Sequence, residues 1–186
     1  EYIIKNLHEV FYIWNGGMSF HGGLIGIIVA AVIFTRIKKV HTFIYLDIIA
    51  CVTPIGLFLG RIANFINGEL YGKTTSLPWG VIFQNAGTFA RHPSQIYEAI
   101  LEGIILFIIV NFFALKKGLL LKTGNISGLF LIFYSVARII GEKFREPDIH
   151  LGYLFNYFSM GTLLSFITLL AGCCVIFFIK KNEQNN

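Results

Sequence analysis

Two arginines, a histidine, an asparagine and several carboxylates stand at the ends of long apolar runs, where charge is costly. Arg138 and Glu142 are four apart and share one helix face. They fit a structural ion pair as well as a working site. Arg61 and Asn64 are three apart within GRIANFINGELYG, with Asn67 and Glu69 following. So many polar groups with Gly60, Gly68 and Gly72 make a poor lipid-facing helix. The run reads either as a helix end opening into a polar site or as an interfacial turn with a snorkelling arginine. His21 opens an apolar run in SFHGGLIG, where Gly22 and Gly26 form a GxxxG contact face. A lone histidine is more often structural than catalytic. The string RHPSQIYEA (91–99) supplies His92, Ser94, Gln95, Tyr97 and Glu98, with Pro93 suited to a first helical turn. It also fits an aromatic and polar belt at a membrane interface.

The chemistry these residue types allow is narrow. An ionisable side chain in a membrane span costs about 2.5–3.5 kcal/mol on insertion scales, so it normally faces protein or a wet cavity. All four clusters fall at the same ends of different spans. Their convergence points to a site for an anionic headgroup. The planar guanidinium fork suits phosphate.

Composition supplies the setting. Hydrophobic residues make up 55% and charged residues 13% of the 186. A soluble domain carries about 25% charged residues, so this chain cannot coat a water-facing surface. Its mean hydropathy is +0.70 and its pI about 9.2. The net charge of +5 lies in short clusters between apolar runs, which is unlike a nucleic-acid-binding face. Cys51, Cys173 and Cys174 lie in apolar segments without metal-ligand spacing and read as small buried hydrophobes.

A span needs about 20 mostly apolar residues. Five are expected, at about 19–35, 43–61, 96–115, 124–142 and 155–179. The expected fold is an all-α polytopic membrane protein, one transmembrane domain over 1–186. The connection 62–95 is expected to form a small outer-surface element with a strand or two. Eight of the fifteen Lys and Arg lie after the first, third and fifth spans. By the positive-inside rule that side is cytoplasmic, and 62–95 faces the periplasm. The chain starts at Glu1 rather than Met, which is read as N-terminal truncation.

The string from Gly60 to Gly72 resembles the signature of the prolipoprotein diacylglyceryl transferase family: Gly-Arg-x-(Gly or Ala)-Asn-Phe-x-Asn-x-Glu-x-x-Gly. Every fixed position is filled, with Ala63 as the permitted alternative. GGMSFHGGLIG (16–26), RHPSQIYEA, and Arg138/Glu142 followed by FREPD (144–148) are similar to the same family, in order. The resemblance implies a seven-span bundle in the bacterial inner membrane, five spans of which fall in this chain. It implies transfer of the diacylglyceryl group of phosphatidylglycerol to the lipobox cysteine of a prolipoprotein, the first step of lipoprotein maturation. A thioether forms and glycerol phosphate leaves. The implied partners are phosphatidylglycerol, prolipoprotein signal peptides and membrane lipids, with no nucleic acid, metal or cofactor.

Roles follow for the residues already singled out. A thiol titrates near about 8.5 and attacks as thiolate. His21 is the candidate base. Arg61 and Arg138 are placed to stabilise charge on the departing phosphate, and Glu142 to hold Arg138. Asn64, Asn67, Glu69, Gly72, His92, Gln95 and Tyr97 are expected, with both arginines, to bind phosphatidylglycerol. The rival class is a transporter or channel for an anionic solute. It would place charges near the bilayer midplane and repeat one half in the other.

Overall fold

The computed structural model describes residues 20–146, 153–154 and 158–185. The chain forms two units, residues 1–42 and 43–186. In the first, helix α1 (Phe20–Lys38) covers the span expected at 19–35 and ends with Arg36 and Lys38 in its last turn. Cations suit a helix C-terminus, where the macrodipole is negative. Lys39 leaves the helix at φ 55°.

The second unit holds four long helices. They are α2 (Thr42–Ile66), α3 (Ser94–Lys116), α4 (Asn125–Glu142) and α5 (Met160–Asn185). Each has a stretch long and apolar enough to cross a bilayer. Large apolar side chains such as Ile48, Ile55, Leu59, Ile108, Leu170 and Phe177 are exposed along them. In water such a surface would aggregate; against lipid it is the expected exterior. The chain is a multi-pass, mostly helical membrane protein. Two short strands, β1 (Tyr153–Leu154) and β2 (Phe158–Ser159), pair antiparallel before α5. Three helix ends differ from expectation. α2 continues to Ile66, so Asn64 stays helical, and α5 runs from Met160 to Asn185 rather than from about 155 to 179.

Helix directions follow from the contacts at each end. Near its start, α2 carries Asp47, a carboxylate only 1% exposed. It accepts the backbone N–H of Gly124 at 2.6 Å and of Ser127 at 2.7 Å, and the Ser127 hydroxyl at 2.5 Å. The first N–H groups of any helix lack intrahelical partners. Asp47 therefore caps α4 from a different helix, and α2 and α4 run in the same direction. α3 runs against both, as its first turns meet their last. α5 runs back along α4. Gly161 lies by Glu142, Gly172 by Gly128, and Ile179 by Gly124. A Cβ on Gly128 would stand 2.7 Å from Ile176, and one on Gly172 2.9 Å from the Gly128 carbonyl. Glycine here lets two helices touch backbone to backbone. Polar ties cross the core as well. The Asn111 amide of α3 donates to the Cys51 carbonyl of α2 at 3.0 Å, and Ser135 of α4 meets Thr168 of α5 at 2.7 Å. Leu106, Val110, Ala114, Ile126 and Tyr134 form the apolar core.

The connection between α2 and α3 folds over their joined ends. In place of regular strands it makes single bridges: Thr74 and Val81 each pair with Arg91, and Gly72 pairs with Arg145. Gly72 donates to the His92 carbonyl and Lys73 to the Phe144 carbonyl, both at 2.9 Å. Phe83 is its anchor, 4% exposed, stacked on Tyr71 and edge-on to Phe65.

Candidate active site

Three helix ends meet around five charges. Arg61 comes from the last two turns of α2. Glu98 and Glu102 come from the first turns of α3, four apart. Arg138 and Glu142 come from the end of α4. Glu98 and Glu102 are both 0% exposed, and each bridges the two arginines. Glu98 Oε2 lies 2.9 Å from Arg61 Nη1, and its Oε1 lies 2.6 Å from Arg138 Nη1. Glu102 Oε2 accepts Arg61 Nε at 3.2 Å and Nη2 at 3.0 Å, while its Oε1 lies 3.3 Å from Arg138 Nη1. Arg138 Nη2 reaches Glu142 Oε2 at 2.9 Å. Each buried charge thus has an opposite charge beside it, as burial requires.

Glycines make the approach possible. Gly103 packs on Phe58, one turn before Arg61. A Cβ there would stand 2.6 Å from Phe58 Cβ, so glycine lets α3 lie close enough for Glu102 to reach Arg61. Gly141 leaves room for Glu98, whose Cγ would be 3.1 Å from an added Cβ. Gly161, in the first turn of α5, leaves room for the Glu142 carboxylate, 2.8 Å from an added Cβ. From Ala99 to Ile105 the wall of α3 is π-helical. Such wide turns are frequent at functional sites.

A second polar layer follows α2 past the arginine. The Asn64 amide donates to the Glu69 carboxylate at 3.3 Å, and the Gln95 amide donates to the Glu69 carbonyl at 2.5 Å. The Ser94 hydroxyl donates to the Leu70 carbonyl at 3.1 Å. Leu70 has φ 55°, a left-handed conformation costly for a side chain with a Cβ. The bonds from Ser94 and Gln95 hold that turn against the start of α3. Asn67 is exposed, and its N–H continues the helix by donating to the Ala63 carbonyl at 2.9 Å. Gly72 is packed between two backbone segments. A Cβ on it would stand 2.6 Å from the carbonyls of both His92 and Phe144, so the close approach it allows is to those two backbones.

The third group is aromatic. His92 Nδ1 lies 3.3 Å from the Tyr97 hydroxyl, which accepts the Trp79 indole N–H at 2.8 Å. Phe144 meets both rings edge-on. His21 stands in the first turn of α1, in the other unit, and its side chain lies outside the described residues.

Sequence reasoning placed Arg61, Arg138 and Glu142 and missed two partners. Glu98 was read only as an interfacial contact, and Glu102 was passed over inside an apolar run. The signal for Glu102 was present. It is a carboxylate within a span, four residues from Glu98 and so on the same face. Arg91 was also passed over. It lies across the Tyr71 ring at 4.8 Å and pairs with Glu146 at 3.1 Å, tying the connection down.

Comparison with known proteins places this arrangement. A sequence model of the family described as prolipoprotein diacylglyceryl transferase matches residues 1–178. Relatives named phosphatidylglycerol–prolipoprotein diacylglyceryl transferase are similar along most of the chain. That of Rhizobium meliloti (strain 1021) is 48% identical over 175 residues, covering 94% of this chain and 62% of its own length. That of Rickettsia bellii (strain OSU 85-389) is 52% identical over 179 residues, covering 96% and 67%. That of Rhodopseudomonas palustris (strain ATCC BAA-98 / CGA009) is 51% identical over 178 residues, covering 95% and 62%. The chain thus spans 62–67% of the length of these relatives. With the whole signature from Gly60 to Gly72 in place at the charged end of the bundle, the chain belongs to the prolipoprotein diacylglyceryl transferase family.

Proposed function

We propose that this protein transfers the diacylglyceryl group of phosphatidylglycerol to the lipobox cysteine thiol of a prolipoprotein. The thiol sulfur attacks the glycerol carbon that carries the phosphate. A carbon–sulfur bond forms and the carbon–oxygen bond breaks. Glycerol phosphate leaves, and the thiol proton balances its new charge. The observation that carries this reading is the joined pair of arginines, buried Arg138 and partly buried Arg61, at the ends of two parallel helices. Two guanidiniums fixed in advance suit a phosphate that gains charge as it leaves. Glu142 steadies Arg138. The layer of Asn64, Asn67, Glu69, Gly72, Gln95, His92 and Tyr97 recognises the headgroup, and His21 accepts the thiol proton.

The site faces the periplasm and the C-terminus is cytoplasmic. Lys116, Lys117 and Lys122, then Lys180 and Lys181 lie at the opposite helix ends from Arg61 and Arg138, and Arg36, Lys38 and Lys39 follow the first span in sequence, in keeping with the positive-inside rule. The whole is one transferase domain of a seven-span bundle, acting on lipids and prolipoproteins and not on nucleic acid.

The test is direct. The full chain in liposomes is given labelled phosphatidylglycerol and a lipobox peptide, and thioether-linked lipid is measured. Transfer that is lost in Arg61→Ala and in Arg138→Ala supports the reading. No transfer by folded wild-type protein overturns it in favour of an anion pathway. His21→Gln with undiminished transfer removes His21 as base and leaves the rest standing.

A further inference from the structure

The arginines that would meet the lipid phosphate are already occupied. Arg61 spends Nη1 on Glu98, and Nε and Nη2 on Glu102. Arg138 spends Nη1 on both Glu98 and Glu102, and Nη2 on Glu142. Three carboxylates therefore touch two guanidiniums, and the two central ones have no exposed surface. A phosphodiester brought to these arginines adds one more negative charge. Like charges brought close in a site screened from water repel strongly. The phosphate and the carboxylates compete for the same donors.

Resting on the reading above, we propose that Glu98 and Glu102 are exchangeable counter-ions, which the phosphate of an anionic glycerophospholipid displaces from Arg61 and Arg138 as the carboxylate pair takes up one proton. A carboxyl that gains a proton releases its guanidinium face and removes the surplus charge in one step. Two carboxylates four residues apart on one helix, sharing the same two arginines, are suited to hold a single proton between them. The groups facing the pair are Arg61 from α2, and Tyr134, Arg138 and Glu142 from α4. Arg145, from the segment after α4, adds to the positive field at Glu98. The phosphodiester itself stays anionic throughout the neutral range, so a pH dependence of binding reports the protein.

The sign of the linkage is fixed. Binding that takes up a proton weakens as pH rises, by about tenfold per pH unit for one proton, once the lipid-free pair is fully ionised. Glu98→Gln and Glu102→Gln keep side-chain shape and one acceptor oxygen but remove the competing charge. Each variant is expected to bind phosphatidylglycerol more tightly than wild type at the alkaline end, with a flattened pH slope. Turnover is expected to fall, because the guanidiniums lose a holding charge. A purely structural role for the pair predicts weaker binding, or loss of the folded protein, and no gain.

The experiment titrates fluorescent phosphatidylglycerol, with phosphatidylcholine as zwitterionic control, onto the full chain in nanodiscs from about pH 6 to 9, a range of roughly a thousandfold for one proton. Wild-type affinity that falls with pH for phosphatidylglycerol only, together with tighter and flatter binding in either variant, supports the exchange. A flat wild-type slope overturns it, whether or not the variants fold. So does equal or weaker binding by a variant with an unchanged melting temperature. Binding and transfer with a flat slope sink the exchange alone. No binding or transfer at any pH sinks the transferase reading beneath it.

Discussion

Gly161→Ala tests whether the Glu142 arm of the charge cluster matters, without touching a charged residue. The change adds one methyl group, 2.8 Å from Cδ and both carboxylate oxygens of Glu142. Ordinary contact distances are about 3.5–4.0 Å, so the carboxylate must turn away by roughly an ångström. It then leaves Arg138 Nη2, now 2.9 Å distant. A close pair of opposite charges at a largely buried site contributes about 1.5–3 kcal/mol, the low end of measured couplings. At 1.36 kcal/mol per factor of ten, kcat/KM for diacylglyceryl transfer should fall about 10- to 100-fold if that arm holds Arg138 for the transition state. Helix propensity does not disfavour the change, since alanine is a better helix former than glycine. The decisive arm is the double variant. In Glu142→Ala the obstructed group is gone, so adding Gly161→Ala should cost nothing further. Equal cost of Gly161→Ala in both backgrounds would refute the mechanism and leave only a general packing effect.

Three further outcomes follow from the same contacts. Asp47→Ala removes the acceptor of three hydrogen bonds at the start of α4 and leaves their donors buried. Loss of an ordinary cap costs about 1 kcal/mol, and this buried carboxylate should cost more, read as a drop in melting temperature in detergent that Asp47→Asn partly restores. Gly103→Ala forces α3 off Phe58. Overpacking of this kind costs about 1–3 kcal/mol, and both melting temperature and transfer should fall, whereas exposed Gly56→Ala on α2, with open space around it, should change neither. Replacing Cys51, Cys173 and Cys174 together by Ser or Ala should leave transfer intact. Cys173 and Cys174 are exposed, and in the proposed reaction the attacking thiol belongs to the peptide. Abolished transfer would overturn that assignment.

Much of the helical frame was legible because the bilayer imposes one simple rule. Long apolar runs bounded by polar clusters at 43–61, 96–115 and 124–142 became helices with ends within a few residues of expectation. The grouping of Arg61, Arg138 and Glu142 was legible for the same reason, since charge at a span end needs company. Partnership was harder to read. Asp47 binds a backbone 77 residues further on, and no side-chain pattern announces a helix N-terminus as a ligand. Gly103 and Gly161 looked like other glycines, because periodicity does not say which neighbour a bare Cα will face. The outer connection was read as containing strands. Its bonds are instead single bridges around Arg91 and Gly72, set by where α2 and α3 end.

Helix direction explains why each charge has the sign it has. Arg61 and Arg138 sit near the C-termini of α2 and α4, where the macrodipole is negative and favours cations. Glu98 lies nearer the N-terminus of the opposed helix α3, where it is positive and favours carboxylates, with Glu102 one turn deeper. Asp47 follows the same rule at the other end of the bundle, against the N-terminus of α4. Glu142 looks like the exception, a carboxylate in the last turn of α4. Its side chain, however, lies against Gly161 in the first turn of α5, so it too meets a helix N-terminus. The antiparallel step from α4 to α5 therefore gives the third carboxylate a favourable place beside Arg138. Reversing one pair, as in Arg61→Glu with Glu98→Arg, would keep one salt bridge but set the new charges against their helix ends and against Glu102 and Arg138. The double variant should therefore fail to recover the wild-type melting temperature.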